Sequence, residues 1–447
     1  MYIESAKIEN IKSVSTLSWD LGSRPRAGWH VILGDNASGK TSFLRAVAMA
    51  LMGPRDADLA IIDWASYVQL GKDSASCILK VLRFPDKINP SSIYSAGEPF
   101  NFVVGTGIEL RDGKTKTRRL IGEDNVDKTR VLDEENPGLL YLSIMDDLFS
   151  VAYGPQRRFT GGNRDEETRL MSRPITGRHM SLFREDISLP QPIDWLRSLR
   201  GDELETREPS VALRNVTSFI NQKDFLPNGV RLHSVSTKDV LFEDSDHNMI
   251  SITELSDGYR SVLCLTLELL RQLHLTFRPE RVPELHRDIF DKKMHQVILP
   301  GIVLVDEVDI HLHPSWQRAI GPWFRKHFPN MQFIVTSHSP LVCQAAEHGS
   351  VFALPDPEAG GEGGFVEGST LDRLLYGDIL DSYSTDLFGG GITRSEVAQE
   401  KMDRLATLNM KALEKGLSAK ERQEQASLQE IFQSNPTILS HDSGERL

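Results

Sequence analysis

Gly34-Asp35-Asn36-Ala37-Ser38-Gly39-Lys40-Thr41 decides the fold. It reads G-x-x-x-x-G-K-T, a phosphate-binding P-loop. The apolar run His30-Val31-Ile32-Leu33 precedes it and suits a buried strand, and Ser42 to Leu51 follows and suits a helix. Gly34 and Gly39 let the backbone curl so that its N–H groups face phosphate. The helix start adds its positive dipole end. Lys40 is expected to reach the β- and γ-phosphates and the Thr41 hydroxyl to ligate Mg²⁺. Gly34, Asn36, Ser38, Gly39, Lys40, Thr41 and Ser42 are thus the candidate nucleotide-binding residues. The competing explanation, a glycine-rich turn with a chance lysine, has to contend with three further motifs downstream.

Ile302-Val303-Leu304-Val305-Asp306-Glu307 is four apolar residues followed by two acids, a buried parallel strand with a Walker B end. Asp306 is the expected second Mg²⁺ ligand, and Glu307 the general base that polarises the attacking water. Gln332 to Thr336 is another buried strand, ending in Ser337-His338-Ser339-Pro340. Leu255-Ser256-Asp257-Gly258-Tyr259-Arg260-Ser261 opens the apolar helix Val262 to Leu273. A serine hydroxyl, a glycine amide and a helix N-terminus make a second phosphate cradle; taken alone, the stretch reads as a simple serine N-cap before an apolar helix. Gln156, just past the turn Gly154-Pro155 and beside Arg157 and Arg158, is a candidate for holding water or Mg²⁺; taken alone it is a polar turn. His311 and His313 are i, i+2 before Pro314, without the carboxylate or cysteine set a metal site needs.

The 447 residues are 26% charged and 39% hydrophobic, the composition of an ordinary soluble globular protein. No apolar run is long enough to cross a bilayer, and the N-terminus lacks the pattern of a secretory signal. Cys77, Cys264 and Cys343 lie far apart, without metal-ligand spacing. The expected location is the cytoplasm, with no membrane partner. A net charge of −12 argues against coating nucleic acid over the whole surface.

The pattern divides the chain into 1–159, the first half of an ATPase domain; 160–253, an inserted helical lid; 254–355, the second half; and 356–447, a helical extension for oligomer or partner docking. Strands are expected at Tyr2–Glu9, Val14–Asp20, Trp29–Leu33, Cys77–Phe84 and Asn101–Val104, with a type I′ hairpin turn at Asp112-Gly113. The basic run Lys114 to Arg119 after that turn is either a phosphate-contacting hairpin or a solvated edge. Thr160 to Glu167 reads as a mobile loop. Within the lid, Ile193–Leu199 and Val211–Phe219 read as helices and Arg231–Val235, Asp239–Phe242 and Met249–Ile252 as short strands. In the extension, Ser418-Ala419-Lys420-Glu421 is a capping box, and Met402, Leu405, Leu408 and Leu413 are candidates for one apolar face.

L-S-x-G-x-R at Leu255 to Arg260 resembles the signature motif of ABC-type ATPases, and Val308 to Pro314 resembles the D-loop and H-L-H-P run of RecF-like and OLD-like ATPases. In order, P-loop, Gln-loop, signature, Walker B, D-loop and switch histidine resemble an ABC/SMC-superclass ATPase of the RecF/OLD-like branch. The resemblance spans residues 1 to about 355 and includes Asn36. It implies an α/β fold, an ABC-type P-loop nucleotide-binding domain with ATP and Mg²⁺. Glu307, His338 and Gln156 would be catalytic. Ser256, Gly258 and Arg260 would face the γ-phosphate held by another copy, so that ATP joins two modules into a homo-oligomer. Ala37, where glycine is usual, and Asp257 and Tyr259 depart from the pattern, which implies slow, regulatory hydrolysis. No nuclease motif is evident after the switch histidine. The chain therefore looks like the ATPase half of a two-protein system, and by analogy it most resembles the PtuA-type ATPases of Septu and retron anti-phage systems, with the ATPase of the PARIS system as a competitor. That similarity implies an effector partner, an HNH nuclease or other toxin, and DNA or a phage component as trigger. A RecF-like repair factor clamping duplex DNA is the alternative, and a transporter ATPase subunit a third.

Overall fold

In the computed structural model, β1 (Tyr2–Ile11) and β2 (Val14–Asp20) pair antiparallel, with Ile11 opposite Val14. From Thr16 to Asp20 burial alternates along β2, the mark of a sheet with one face on a core. β3 (Gly28–Leu33) is buried at all six positions, the pattern of a strand covered on both sides. The P-loop leads into α1 (Lys40–Met52), and α2 (Pro54–Ala60) follows directly. β4 (Ser74–Arg83), β5 (Phe100–Arg111), β6 (Lys114–Glu123) and β7 (Arg130–Leu132) complete a first sheet in the order β2-β1-β4-β5-β6-β7. The described residues are 1–83, 100–112, 114–123, 130–132, 149–223, 225–277, 290–291, 296–356, 361–377, 382–383, 385–388, 396–414 and 416–432.

β8 (Ser150–Tyr153) belongs to a second sheet. Four helices follow it: α3 (Arg164–Met171), α4 (Pro174–Phe183), α5 (Gln191–Thr206) and α6 (Val211–Ile220). A small antiparallel sheet comes next, in the order β11-β10-β9, from β9 (Arg231–Val235), β10 (Val240–Glu243) and β11 (Met249–Ser251). The long helix α7 (Asp257–Thr276) then leads to the two-residue pair β12 (Phe290–Asp291) and β13 (Gln296–Val297). β14 (Gly301–Val305), α8 (Pro314–His327), β15 (Met331–Thr336), α9 (Pro340–Cys343), β16 (Gly349–Ala353), β17 (Gly364–Phe365) and α10 (Gly368–Tyr376) complete this part.

The second sheet runs β17-β16-β3-β15-β14-β8, parallel throughout except at the edge strand β17. Val305 stands opposite both Val335 and Tyr153, and Val335 opposite Val31. The four strands therefore end level, and the loops leaving them emerge along one edge. α1 packs against β1, β4 and β5 of the first sheet and against β14 and β15 of the second. Its buried residues lie all round the helix, as a helix between two sheets requires.

The basic hairpin turns out to be structural at its inner end. Arg119 is buried and donates from Nη1 to the Ala50 carbonyl at 2.8 Å, a cation at the negative end of α1. Arg118 pairs with Glu109 at 3.0 Å. Asp112 has φ 50°, which a type I′ turn requires at its first central residue, Arg111 pairs with Lys114, and Gly113 lies outside the described residues. The expected loop at 160–167 is half helix. Asn163 accepts from the Glu166 N–H at 3.2 Å and so caps α3, and buried Glu167 accepts from both the N–H and the hydroxyl of Ser188. Among the described residues, no helix is long and apolar enough to cross a membrane.

Two compact units result, Met1–Ile379 and Leu380–Leu447. The second contains the hairpin of α11 (Glu396–Glu414) and α12 (Ala419–Phe432), whose core is Leu405, Leu408 and Leu428. Ser418 and Glu421 form the expected capping box: the Ser418 N–H donates to Glu421 Oε2 at 2.9 Å and the Glu421 N–H to Ser418 Oγ at 3.4 Å. Leu413, expected on the apolar face, is 87% exposed. Five residues beyond Leu408, it sits roughly 140° round the helix.

His30, in the middle of β3, is completely buried. Its Nε2 donates to the Arg26 carbonyl at 2.9 Å, which leaves Nδ1 to accept from the Ser350 hydroxyl at 2.9 Å. Burial pulls its pKa down to about 4. The unfolded chain therefore binds a proton near pH 6.5 that the folded chain refuses. Stability is lost as pH falls from about 6.5 toward 4 and levels off below that. Urea midpoints measured at pH 7 and pH 5 should differ less in His30→Gln than in the native chain.

Candidate functional site

Four of the motif segments sit at the carboxyl ends of strands of the parallel sheet, where open α/β sheets bind ligands, whereas the signature stretch opens α7. The P-loop leaves β3, Gly154 to Arg157 leaves β8, Asp306 and Glu307 leave β14, and Ser337 to Ser339 leave β15.

In the P-loop, Gly39 has φ 99°, and a Cβ there would stand 2.8 Å from Val14 Cγ2, so only glycine fits. Ala37 has φ 66°, left-handed backbone that explains why glycine is usual at this place. Gly39 caps α1 without a side chain, so the first-turn N–H groups lack a side-chain acceptor. Ser38 Oγ is buried and has no hydrogen-bond partner among the described residues. The Lys40 amine is buried, and donates to the carbonyls of Gly34 at 2.6 Å and Asp35 at 2.8 Å. Desolvation lowers its pKa, against the upward pull of Asp306, Glu307, Asp35 and Asp309. An open amide cradle, an orphaned hydroxyl and a desolvated amine together suit a polyphosphate.

Thr41 Oγ1 donates to Asp306 Oδ2 at 2.8 Å, which brings the P-loop and the Walker B strand together. Thr336 Oγ1, at the end of β15, donates to Asp306 Oδ1 at 2.6 Å. Asp306 is 1% exposed, so both carboxylate oxygens are fixed. A hydroxyl and a carboxylate oxygen side by side are the ligands a hard cation such as Mg²⁺ takes, so the residues present fit that ion. Glu307 has φ 45°, and its N–H donates to Thr336 Oγ1 at 2.7 Å. Ser339 donates from Oγ to Gln317 Oε1 at 2.7 Å, and Gln317 Nε2 donates to the Leu312 carbonyl at 2.9 Å. α8 thereby ties the segment around His338 to the segment after Walker B. His338 and Gln156 are exposed. His313 acts as a helix cap, its Nδ1 accepting from the Ser315 N–H at 3.3 Å.

Ser256 is the N-cap of α7, yet its side chain accepts no cap hydrogen bond, and it is exposed. Its hydroxyl is not spent on the bland role the sequence allowed. A Cβ on Gly258 would lie 3.0 Å from the His311 carbonyl, so glycine lets α7 start against the loop after Walker B. Arg260 is turned inward on its own motif: it donates to the Thr253 carbonyl at 3.0 Å and pairs with Asp257. Tyr259 donates to the Pro227 carbonyl at 3.1 Å and packs edge-on against Trp316. Asp257 and Tyr259, the departures from the signature pattern, thus hold the motif in place.

Sequence alone missed Thr336, Ser261 and above all Arg157. Arg157 is 5% exposed and its guanidinium reaches Ser261 Oγ, Gly154 O, Asp306 O, Glu307 O and Val308 O at 2.8 to 3.4 Å. Burial pulls its pKa down to about 10, which keeps it charged at neutral pH. The only sequence signal was an arginine pair after Gln156, and which of the two turns inward is decided by packing.

Residues 175–344 match the family model described as "AAA domain, putative AbiEii toxin, Type IV TA system". The chain is 26% identical to the Septu protein PtuA of Bacillus mycoides over 80% of its own length and 41% of that protein's. It is 39% identical to the Retron Ec83 probable ATPase of Escherichia coli, over 26% of this chain and 19% of that one. A second Septu protein PtuA, from Bacillus thuringiensis, is 30% identical over 29% of this chain and 30% of its own. The chain thus spans less than half the length of these relatives. A crystallised SMC head bound to the C-winged helix domain of ScpA aligns with 82% of this chain at 15% identity, with a TM-score of 0.48. The chain is thus similar in sequence to Septu PtuA proteins and to a retron probable ATPase, and part of it matches an AAA domain.

Proposed function

We propose that the chain is the ATP-binding and ATP-hydrolysing subunit of a two-component anti-phage system. ATP joins copies of it into oligomers that hold and control a toxic effector such as an HNH nuclease. The observation that carries the nucleotide part is the 2.8 Å bond from Thr41 to Asp306, which places the P-loop hydroxyl on the Walker B carboxylate. Similarity to Septu PtuA and to a retron ATPase supports the biological setting.

The P-loop amides, Ser38 and Lys40 bind and orient the triphosphate. Thr41 and Asp306 would hold Mg²⁺, which when bound neutralises charge on the β- and γ-phosphates. Glu307 takes a proton from the attacking water, and His338 lies on the adjacent strand end to contact the γ-phosphate. Gln156, exposed on the loop after β8, orients the water or adds a ligand to the cation. Ser256 and Gly258 offer the exposed start of α7 to the nucleotide of a second copy. Burial of Arg119 on the Ala50 carbonyl removes that residue from the phosphate contacts a duplex-DNA clamp could use.

Lys40→Ala should lose MgATP binding in equilibrium titrations with a fluorescent ATP analogue. Glu307→Gln should keep binding while turnover falls by on the order of 10²- to 10⁴-fold; unchanged turnover would show that Glu307 is not the base.

Ser256→Arg should retain nucleotide binding but lose the ATP-dependent rise in mass seen by light scattering. A mutant that still pairs with ATP counts against the shared site. Purification of the tagged chain from its native host should recover a second polypeptide. Tight binding of duplex DNA at physiological salt by the chain alone would favour the repair alternative.

A further inference from the structure

Arg157 has five N–H donors and, in this fold, five oxygen acceptors. Nε donates to Ser261 Oγ at 3.1 Å, Nη1 to Gly154 O at 3.0 Å and Asp306 O at 2.8 Å, and Nη2 to Glu307 O at 3.0 Å and Val308 O at 3.4 Å. A planar fork can span acceptors so placed, whereas a lysine gathers its three donors at one point. An arginine that merely fills space would be indifferent to which oxygens it meets. Here three of the five belong to consecutive residues of the Walker B end, and one to the helix that carries Ser256 and Gly258.

Glu307 needs such support. Its φ of 45° is a left-handed conformation that a side-chain-bearing residue rarely adopts. The peptide group before it is held by Thr336, which accepts its N–H at 2.7 Å, and the one after it by Arg157. Release either grip and the backbone can relax, re-aiming the carboxylate. Ser261 lies five residues along α7 from Ser256. Any movement of the signature end of α7 therefore reaches Glu307 through two successive hydrogen bonds, Ser261 to Arg157 and Arg157 to the Glu307 carbonyl.

We propose that Arg157 is a positioning residue: its buried fork fixes the backbone of Glu307 and links the proposed base to the signature helix of the same chain. This rests on the reading of Glu307 as general base given above. The test uses the full chain as Arg157→Lys, Ser261→Ala, Glu307→Gln and the double variant Arg157→Lys with Glu307→Gln. Affinity for a fluorescent ATP analogue with Mg²⁺ and single-turnover hydrolysis are measured for each.

Arg157→Lys should keep affinity within about threefold of the native chain while hydrolysis falls about 10- to 100-fold, the scale of a misplaced catalytic group. Ser261→Ala should lower hydrolysis by a smaller factor, again with affinity kept. In the Glu307→Gln background, Arg157→Lys should add less than about a twofold loss, because it acts through the residue already removed. Losses that multiply in the double variant, or native hydrolysis in Arg157→Lys when Glu307→Gln is inactive, overturn the proposal. So does a parallel fall in affinity and rate. Should Arg157→Lys fail to fold, Ser261→Ala decides in its place: native hydrolysis overturns the link, a selective loss supports it. Native hydrolysis by Glu307→Gln would instead remove the base assignment, and the proposal with it.

Discussion

Everything at the site depends on the parallel register of β8, β14, β15 and β3. Because Tyr153, Val305, Val335 and Val31 stand side by side, four loops from distant parts of the sequence leave the sheet level with one another. Parallel pairing of this kind needs crossovers that cover both faces. α1, packed between the two sheets, is such a crossover, and its apolar surface on every side is the consequence. The sequence encodes the register as unbroken apolar runs, and the chemistry as the first polar residue after each run ends.

Within that frame the deciding contacts are few and short. Asp306 is nearly inaccessible, and a buried carboxylate is tolerable only when its oxygens are bonded. Thr41 and Thr336 supply those bonds, one from the P-loop and one from the neighbouring strand. Thr336 serves twice, since the same hydroxyl accepts the Glu307 N–H. Left-handed backbone at Glu307 costs roughly 1–2 kcal/mol, and a hydrogen bond to a charged group returns about 1.5–3 kcal/mol. Thr336 and Arg157 together are sufficient to hold the strained residue. Such strain concentrates where a side chain must point in one direction.

The fold class was largely legible, and so was the placement of the motif residues on strand ends. Val31, Val305 and Val335 lie in apolar runs too short and too β-branched for helices, and the polar residues after them stand out. Arg157 could not be found that way. It is adjacent to exposed Gln156 and exposed Arg158, and burial of the middle one follows from a turn of the chain over the Walker B end. α3 was concealed for the opposite reason: its residues are nearly all polar, and it exists because Asn163 caps it and Glu167 finds Ser188 inside. Arg119 looked like a surface cation until the end of α1 was seen to need one. In each case a long-range polar bond overrode a local pattern.

Charge balance carries one more consequence for the proposed function. Lys40 is surrounded by Asp35, Asp306, Glu307 and Asp309, all of which stabilise its charge. The Lys40 ammonium and the buried Arg157 guanidinium, set against four carboxylates, still leave the cradle acidic apart from its amide dipoles. A triphosphate entering alone would add negative charge to a site already rich in it, and the exchange of the Gly34 and Asp35 carbonyls for phosphate oxygens at Lys40 offsets only part of that repulsion. A divalent cation seated between the Thr41 hydroxyl and Asp306 would offset much of the remainder, where the two oxygens already lie 2.8 Å apart. The acids to which the proposed function assigns hydrolysis would therefore also favour a metal-bound nucleotide over a free one.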